Sequence, residues 1–298
     1  MENRCLAAAF GECRGAMVRP VARVAAVHDI TGVGRCGLSV AIPVLSALGH
    51  QACPLPTAVL STHPAGFEGQ HAHVLSADVS PVLAHWAREA ICFDAVYTGY
   101  MGDVAQVQAV LAVRMQTGML LVDPVVGDHG RLYSIVDAPM VEAMKALAAS
   151  ADVITPNLTE AYALLGRDYT DKGHSREAAA ELAAALGARY GAACVVTGVP
   201  SDDGRMMNVL HMPGEAQAAY AVYDAAPVSY PGTGDVFASL LLGVYLHTKD
   251  MEQAFRTASC VTTEIVVYTH GQNTPPREGV LVEAFCPQML AQCGIAEA

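Results

Sequence analysis

Basic side chains are scarce in this sequence. Lys and Arg number 17 against 29 Asp and Glu, for a formal net charge of −12, and charged residues make up only 15% of the 298 positions. A nucleic-acid-binding surface is therefore disfavoured. No basic field draws an anionic substrate from a distance either, so phosphate chemistry here would need a cation or aimed backbone amides. No apolar run is long and unbroken enough to read as a membrane span. No C-x-x-C occurs among the nine cysteines, which are odd in number and widely spaced. That disfavours a disulfide framework or a cysteine zinc site and makes a reducing cytosol the expected compartment. The P-loop pattern G-x-x-x-x-G-K-[ST], the H-R-D and D-F-G kinase pair and the G-x-S-x-G hydrolase elbow are all missing. What is plentiful is apolar: 53% of the residues are hydrophobic, enough for a substantial core.

Residues 1–17 read as a loose tail, with Met17 a possible natural start, and 18–298 as one domain. From residue 21 strands and helices alternate. Val24–Ile30, Pro54–Leu60, Ala95–Thr98, Met119–Asp123, Val153–Thr155 and Ala193–Thr197 are short apolar runs that read as buried strands. Helical spacing fills Cys36–Leu48, Val104–Gln116, Ala138–Ala149, Thr159–Leu165 and Arg176–Tyr190. Ser80-Pro81 looks like a cap and first-turn proline opening another helix to about Ile91. Residues 61–74 read as a loop, and Arg205–Met212 with Ala218–Asp224 as an antiparallel hairpin. Three helices are expected at the end, over 234–247, 250–269 and 278–292. The pattern predicts an α/β fold: a mostly parallel central sheet with helices on both faces, with a (β/α)8 barrel as the rival. In the open sheet, ligands sit beyond the carboxyl ends of the strands.

Gly32-Val33-Gly34-Arg35-Cys36-Gly37 is a literal G-x-G-x-x-G after a strand and before a helix. A dinucleotide site also needs an acid about 20 residues on, and no Asp or Glu lies between Asp29 and Glu68. The run reads instead as a tight turn that lets the backbone approach something closely, such as a substrate ring. His71-Ala72-His73 lacks a third metal ligand at suitable spacing and reads as loop.

The segment that carries chemistry is Ser229-Tyr230-Pro231-Gly232-Thr233-Gly234-Asp235, which runs into the apolar stretch Val236–Leu242. Glycines at a helix mouth let N–H groups converge, and the helix dipole adds positive potential, giving an anion hole without a basic side chain. Asp235 in that first turn either complements the dipole or acts as a general base. Asp123-Pro124-Val125-Val126-Gly127-Asp128 ends a strand with two carboxylates, which suit Mg²⁺ or simply form a D-P turn and a solvated acid. Asn157 and Glu160 have capping-box spacing at a helix start, and could also hold metal-bound water and phosphate. Thr197-Gly198 ends a further strand and offers a hydroxyl and bare backbone to a nucleotide phosphate.

At these residues the sequence resembles the ribokinase-like superfamily, in its pyridoxal (pyridoxamine/pyridoxine) kinase branch. The matches are V-H-D-I-T-G-V-G around residue 28, S-T-H-x-x-G from Ser61, T-G-Y at 98–100, D-P-V-V-G-D at 123–128, T-P-N-x-x-E at 155–160 and P-G-T-G-D at 231–235. The resemblance implies a three-layer sandwich and phosphoryl transfer from MgATP to the 5′-hydroxymethyl of vitamin B6. Asp235 would take the proton, and Gly232, Thr233 and Gly234 would hold the phosphoryl group. Asp123, Asp128 and Glu160 would organise Mg²⁺, with Asn157 beside them; Thr197 and Gly198 would touch ATP phosphates; K⁺ would assist. Asp29, His63 and Tyr100 would line the pyridine pocket. Asp29 stands where better-known members have Ser, and Pro64 follows His63 where they often carry Thr. The resemblance also implies a cytoplasmic homodimer with small-molecule partners only. A hydroxymethylpyrimidine kinase, or a non-catalytic B6-binding protein of the same fold, are the alternatives.

Overall fold

The computed structural model describes residues 20–113, 118–170 and 172–295; the predicted tail at 1–17 lies outside them. In chain order the sheet elements are β1 (Arg23–Val33), β2 (Gln51–Thr62), β3 (Ala72–Val74), β4 (Ala95–Thr98), β5 (Met119–Val122), β6 (Gly127–Asp128), β7 (Arg131–Leu132), β8 (Val153–Ile154), β9 (Ala193–Pro200), β10 (Met206–His211) and β11 (Ala219–Tyr223). The helices are α1 (Leu38–Ala47), α2 (Ser76–Arg88), α3 (Val104–Val113), α4 (Ala138–Ala148), α5 (Leu158–Leu165), α6 (Arg176–Tyr190), α7 (Thr233–Thr248), α8 (Met251–Gly271) and α9 (Met289–Gln292).

Nine strands form one open sheet in the order β11-β10-β9-β8-β5-β4-β1-β2-β3. The stretch from β9 to β2 is parallel, while β10, β11 and β3 are antiparallel at the two edges. An open sheet with edges rules out the closed barrel. Side chains alternate across it: Ala25, Val27, Leu120 and Val122 bury toward α2–α6, and Val24 and Leu121 toward α1, α7 and α8. That is the three-layer sandwich expected, with a core on each face of the sheet. After β1 the chain places β2 on one side and then returns to place β4 on the other. The carboxyl ends of β1 and β4 therefore flank a topological switch point, where a crevice opens.

Four expectations are corrected. The segment 61–74 is not all loop: β2 continues through Thr62, and β3 folds back on it, with Ser61 and His71 exchanging backbone and side-chain hydrogen bonds at the hairpin. Helix α2 begins at Ser76, four residues before the proposed cap, and carries Pro81 inside; the Ser76 hydroxyl donates to Asp103, which anchors that start. The end of the helix predicted over Val104–Gln116 falls outside the described residues. The last predicted helix is broken into short 3₁₀ turns (Pro276–Glu278, Val282–Ala284, Cys286–Gln288) and the single turn α9. Gly279 at φ 77° and the prolines of those turns interrupt it. Among the cysteines, Cys36, Cys194, Cys260, Cys286 and Cys293 carry free thiols, but half-buried Cys92 is disulfide-bonded, an exception to the reduced set expected.

Candidate active site

Helix α7 starts beside the switch point because the run that follows its first turn is almost wholly apolar. Val236–Leu242 are all buried, so the helix runs through the core layer and its amino end meets the strand tips. Gly232 caps it at φ 81°, and a β-carbon there would stand 2.0 Å from the Arg35 carbonyl oxygen. Glycine is thus required both by conformation and by the closeness of the 35–37 turn. The Thr233 hydroxyl donates to the Tyr230 carbonyl at 2.7 Å, leaving Thr233 its backbone amide for a ligand. The first-turn N–H groups have no intrahelical partner and face the crevice with the positive end of the dipole.

Asp235 lies in that turn. Its Oδ2 accepts from the Gly37 N–H at 3.0 Å, and its Oδ1 lies 3.7 Å from His28 Nδ1. Burial pushes the carboxyl up to about 7, the Gly37 amide opposes this, and Asp29 adds to it. Asp29 is itself buried, which raises it, while the Thr31 hydroxyl donates to its Oδ2 at 2.9 Å. Tyr100 is close enough to feel Asp29: burial, then Asp29 and Asp103, raise its phenol. The Cys36 thiol is pushed up by burial, then by Asp235 and Asp29.

The other acids sit across α7's mouth. A β-carbon on Gly234 would be 3.9 Å from Asp123 Oδ2. Burial and then Asp235 hold Asp123 well above the usual carboxylate range; burial and then Asp123 do the same for Glu160. Glu160 accepts from the Val126 and Asn157 amides at 3.2 and 2.9 Å, and Asn157 Oδ1 accepts from the Glu160 N–H at 3.0 Å. The capping box is therefore real, and Asn157 Nδ2 also donates to the Gly127 carbonyl at 2.9 Å. Both Asn157 polar atoms are engaged, so it shapes the strand end instead of offering a free ligand. Asp128 is exposed on β6 and accepts from the His129 amide. No preassembled cluster of three metal-binding side chains exists among the described residues. The charged groups that act on Asp123, Glu160 and Asp235 are all carboxylates, an arrangement that a cation would relieve.

Asn157 and Thr197 pair across the ends of two neighbouring strands, and the Thr197 N–H donates to Pro156 O at 2.9 Å. Gly198, at φ 64°, gives its N–H to Asn208 Oδ1 at 3.0 Å. That amide is already used, so the offer of bare backbone at 198 is corrected: the Thr197 hydroxyl is what remains for a phosphate. His63 is 3% exposed, and its Nε2 donates to the Arg277 carbonyl at 2.8 Å. The C-terminal turns thus clasp the pocket, and Arg35 completes the clasp through Glu283 at 2.8 Å and the Glu278 carbonyl at 2.9 Å.

The structure brings Asp29, Tyr100, Asp123, Glu160, Gly232, Thr233, Gly234 and Asp235 around one crevice. Sequence reasoning missed His28, Asn208 and the 277–283 segment. The glycine run is the tight, closely approached turn expected, but what Gly37 meets is protein: a β-carbon there would stand 2.4 Å from the Asp29 carbonyl oxygen and 2.7 Å from its Oδ1, and its N–H donates to Asp235. His28 was visible inside V-H-D-I, but a buried ring leaves no signal that separates it from core.

Comparison with known proteins agrees with this geometry. The phosphomethylpyrimidine kinase family matches residues 32–276. A pyridoxal kinase of Rubrobacter xylanophilus is 30% identical over 249 residues, spanning 80% of this chain and 84% of that one. The crystal structure of pyridoxal kinase from Lactobacillus plantarum superposes with a TM-score of 0.83 at 33% identity, covering 91% of this chain and 97% of that one. A Bacteroides thetaiotaomicron structure, assigned provisionally as a phosphomethylpyrimidine kinase and crystallised with pyridoxal, gives 0.84 at 35% identity over 89% and 94%. With the open sheet, the G-T-G-D helix mouth and the strand-end acids in their order, the chain belongs to the phosphomethylpyrimidine kinase family of the ribokinase-like superfamily.

Proposed function

We propose that this chain is a pyridoxal kinase, transferring the γ-phosphoryl group of ATP to the 5′-hydroxymethyl of a B6 vitamer. One observation carries the reading: a buried carboxylate, Asp235, is fixed by the Gly37 amide inside a glycine-opened helix mouth, with Asp123 across from Gly234. Phosphoryl transfer is mainly positioning and charge stabilisation, and this site supplies both. Asp235, raised toward neutrality, takes the hydroxyl proton as the oxygen attacks the γ-phosphorus. The amides of Gly232, Thr233 and Gly234 receive the phosphoryl oxygens, and ADP departs along Thr197. Mg²⁺, when bound, neutralises charge on the phosphates; Asp123 and Glu160 would hold it and its waters, with Asp128 at the rim and K⁺ assisting. Asp29, kept from ionising easily by burial, meets the pyridine nitrogen of the ring, while Tyr100 and His63 complete the wall.

The reading extends to a cytoplasmic homodimer built on residues 18–298. Exposed Ile30, Val33, Val59 and Val74 on β1, β2 and β3 offer an apolar face for it. The alternative substrate, hydroxymethylpyrimidine, is named for a Mycobacterium leprae relative that is 28% identical, and carries the same reacting group on a nitrogen ring. An ATP-consumption assay against pyridoxal, pyridoxamine, pyridoxine and hydroxymethylpyrimidine decides. Turnover with a B6 vitamer is expected. Turnover with hydroxymethylpyrimidine alone would move the assignment, and vitamer binding without ATP use would make the chain a binder.

Asp123→Asn tests the cation site. Removing a crowded buried charge leaves the metal-free protein's melting temperature unchanged or raised, because burial and Asp235 already oppose ionisation there. The Mg²⁺ midpoint in a rate titration is expected to rise by about 10-fold or more, the scale of losing a group that orients bound metal. An unmoved midpoint would take Asp123 out of the metal site.

A further inference from the structure

His28 is 1% exposed, in the middle of β1 and one residue beyond that strand's pairing with β4, beside the switch point. Its ring stands edge-on to Tyr97 with centroids 4.2 Å apart. Against its other side lies Gly99, where a β-carbon would fall 2.2 Å from Nδ1 and 2.3 Å from Cε1. Gly99 is anchored by its own N–H, which donates to the Val27 carbonyl at 3.0 Å. The ring is therefore wedged, and the open direction for Nδ1 is Asp235 Oδ1 at 3.7 Å. We propose that His28 is a positioning residue for Asp235: with Oδ2 held by the Gly37 amide, the imidazole stops the carboxylate from pivoting and keeps it aimed at the acceptor hydroxyl.

The tautomer follows from the surroundings. A bare Nδ1 would set a lone pair against a carboxylate oxygen, so the hydrogen belongs on Nδ1 and Nε2 is the bare acceptor. Nε2 is fully buried with no hydrogen-bond partner among the described residues. At 3.7 Å the contact is longer than a hydrogen bond, and catalytic contacts of this kind tighten when substrate binds. Burial drives His28 down to about 3, so at neutral pH it brings a dipole and no charge. That difference matters. A Lys or Arg at this place would fix the carboxylate equally well but would hold its proton affinity low, making a poor base. The other groups that face Asp235 are Asp29 from β1, Cys36 and the Gly37 amide from the glycine turn, Tyr97 from β4 and Asp123 from the end of β5. His28 is distinguished among them by a ring nitrogen directed at Oδ1.

This inference rests on Asp235 being the base, and the experiment separates the two. Steady-state kinetics are measured for His28→Leu, His28→Asn, Gly99→Ala, Asp235→Asn and the His28→Leu/Asp235→Asn double variant, each with a thermal melt. His28→Leu is expected to lower kcat by roughly 10–100-fold, the cost of a misaimed group, with both KM values within a few-fold of wild type. His28→Asn, whose amide nitrogen falls near the Nδ1 position, restores most of the rate. Gly99→Ala displaces the ring without removing a polar atom and reproduces the kcat loss. In the Asp235→Asn background, His28→Leu adds little. Full activity in His28→Leu, equal losses in His28→Leu and His28→Asn, or additive losses in the double variant would each overturn the positioning role. Full activity in Asp235→Asn would instead remove the base assignment on which it stands.

Discussion

Replacing Asp235 with Ala lowers kcat by roughly 10²–10⁴, the range for losing a general base, while B6 binding measured by calorimetry stays within a few-fold. The carboxylate is the one acid held by a backbone amide at the mouth of α7, and no other described acid takes that position. The wild-type enzyme carries a pH signature that the variant lacks. Burial raises Asp235 to about 7, and the working form is the ionised one. Activity in kcat/KM, which reports the free enzyme, therefore falls as pH drops through about 7 and is full above it. In Asp235→Ala that acidic limb flattens. Turnover like wild type, or an unchanged limb in the variant, would end the assignment.

The second large effect comes from a methyl group. Gly232→Ala puts a β-carbon 2.0 Å from the Arg35 carbonyl, a contact that only backbone movement relieves. The movement separates the 35–37 turn from the helix mouth, which displaces the phosphoryl amides and the Gly37 donor to Asp235 together. A kcat loss of roughly 10²–10³ is expected, the cost of a misplaced anion-hole donor. Gly166→Ala is the matched control. Gly166 also has positive φ, at 66°, but a β-carbon there meets nothing within 4 Å. It should lose about 1–2 kcal/mol of stability for the left-handed backbone and keep its kcat. Equal kinetic losses in the two variants would mean that backbone strain, and not the anion hole, explains Gly232.

Much of this was legible before the structure. Short apolar runs bounded by glycine and proline gave the parallel strands, because a strand buried on both faces must be apolar throughout. Strand-end polar residues then had to be ligands or caps, and Asn157 and Glu160 prove to be caps in geometry whatever else they do. Motif order made the resemblance specific. The failures share a cause. Pro81 looked like a helix start because local rules place proline there, yet tertiary contacts at Ser76 and Asp103 set the true start. The closing segment carries helical spacing, but it is held by Arg35 and His63, which lie more than 200 positions earlier (|i−j| 248 and 214). Contacts of that span leave no trace in local periodicity. Gly37 was assigned a tight turn, as it has, but a substrate ring was offered as what it approaches, because close approach needs glycine whatever is approached.

The clasp of residues 277–283 over the glycine turn has a temporal meaning. His63 leaves the ribosome early, but the carbonyl that holds its ring is added some 214 residues afterwards, on the order of ten seconds or more at ordinary translation speeds. Until then the nascent chain carries a half-walled vitamin cleft, and competence for turnover waits for residues 277–283 to be made.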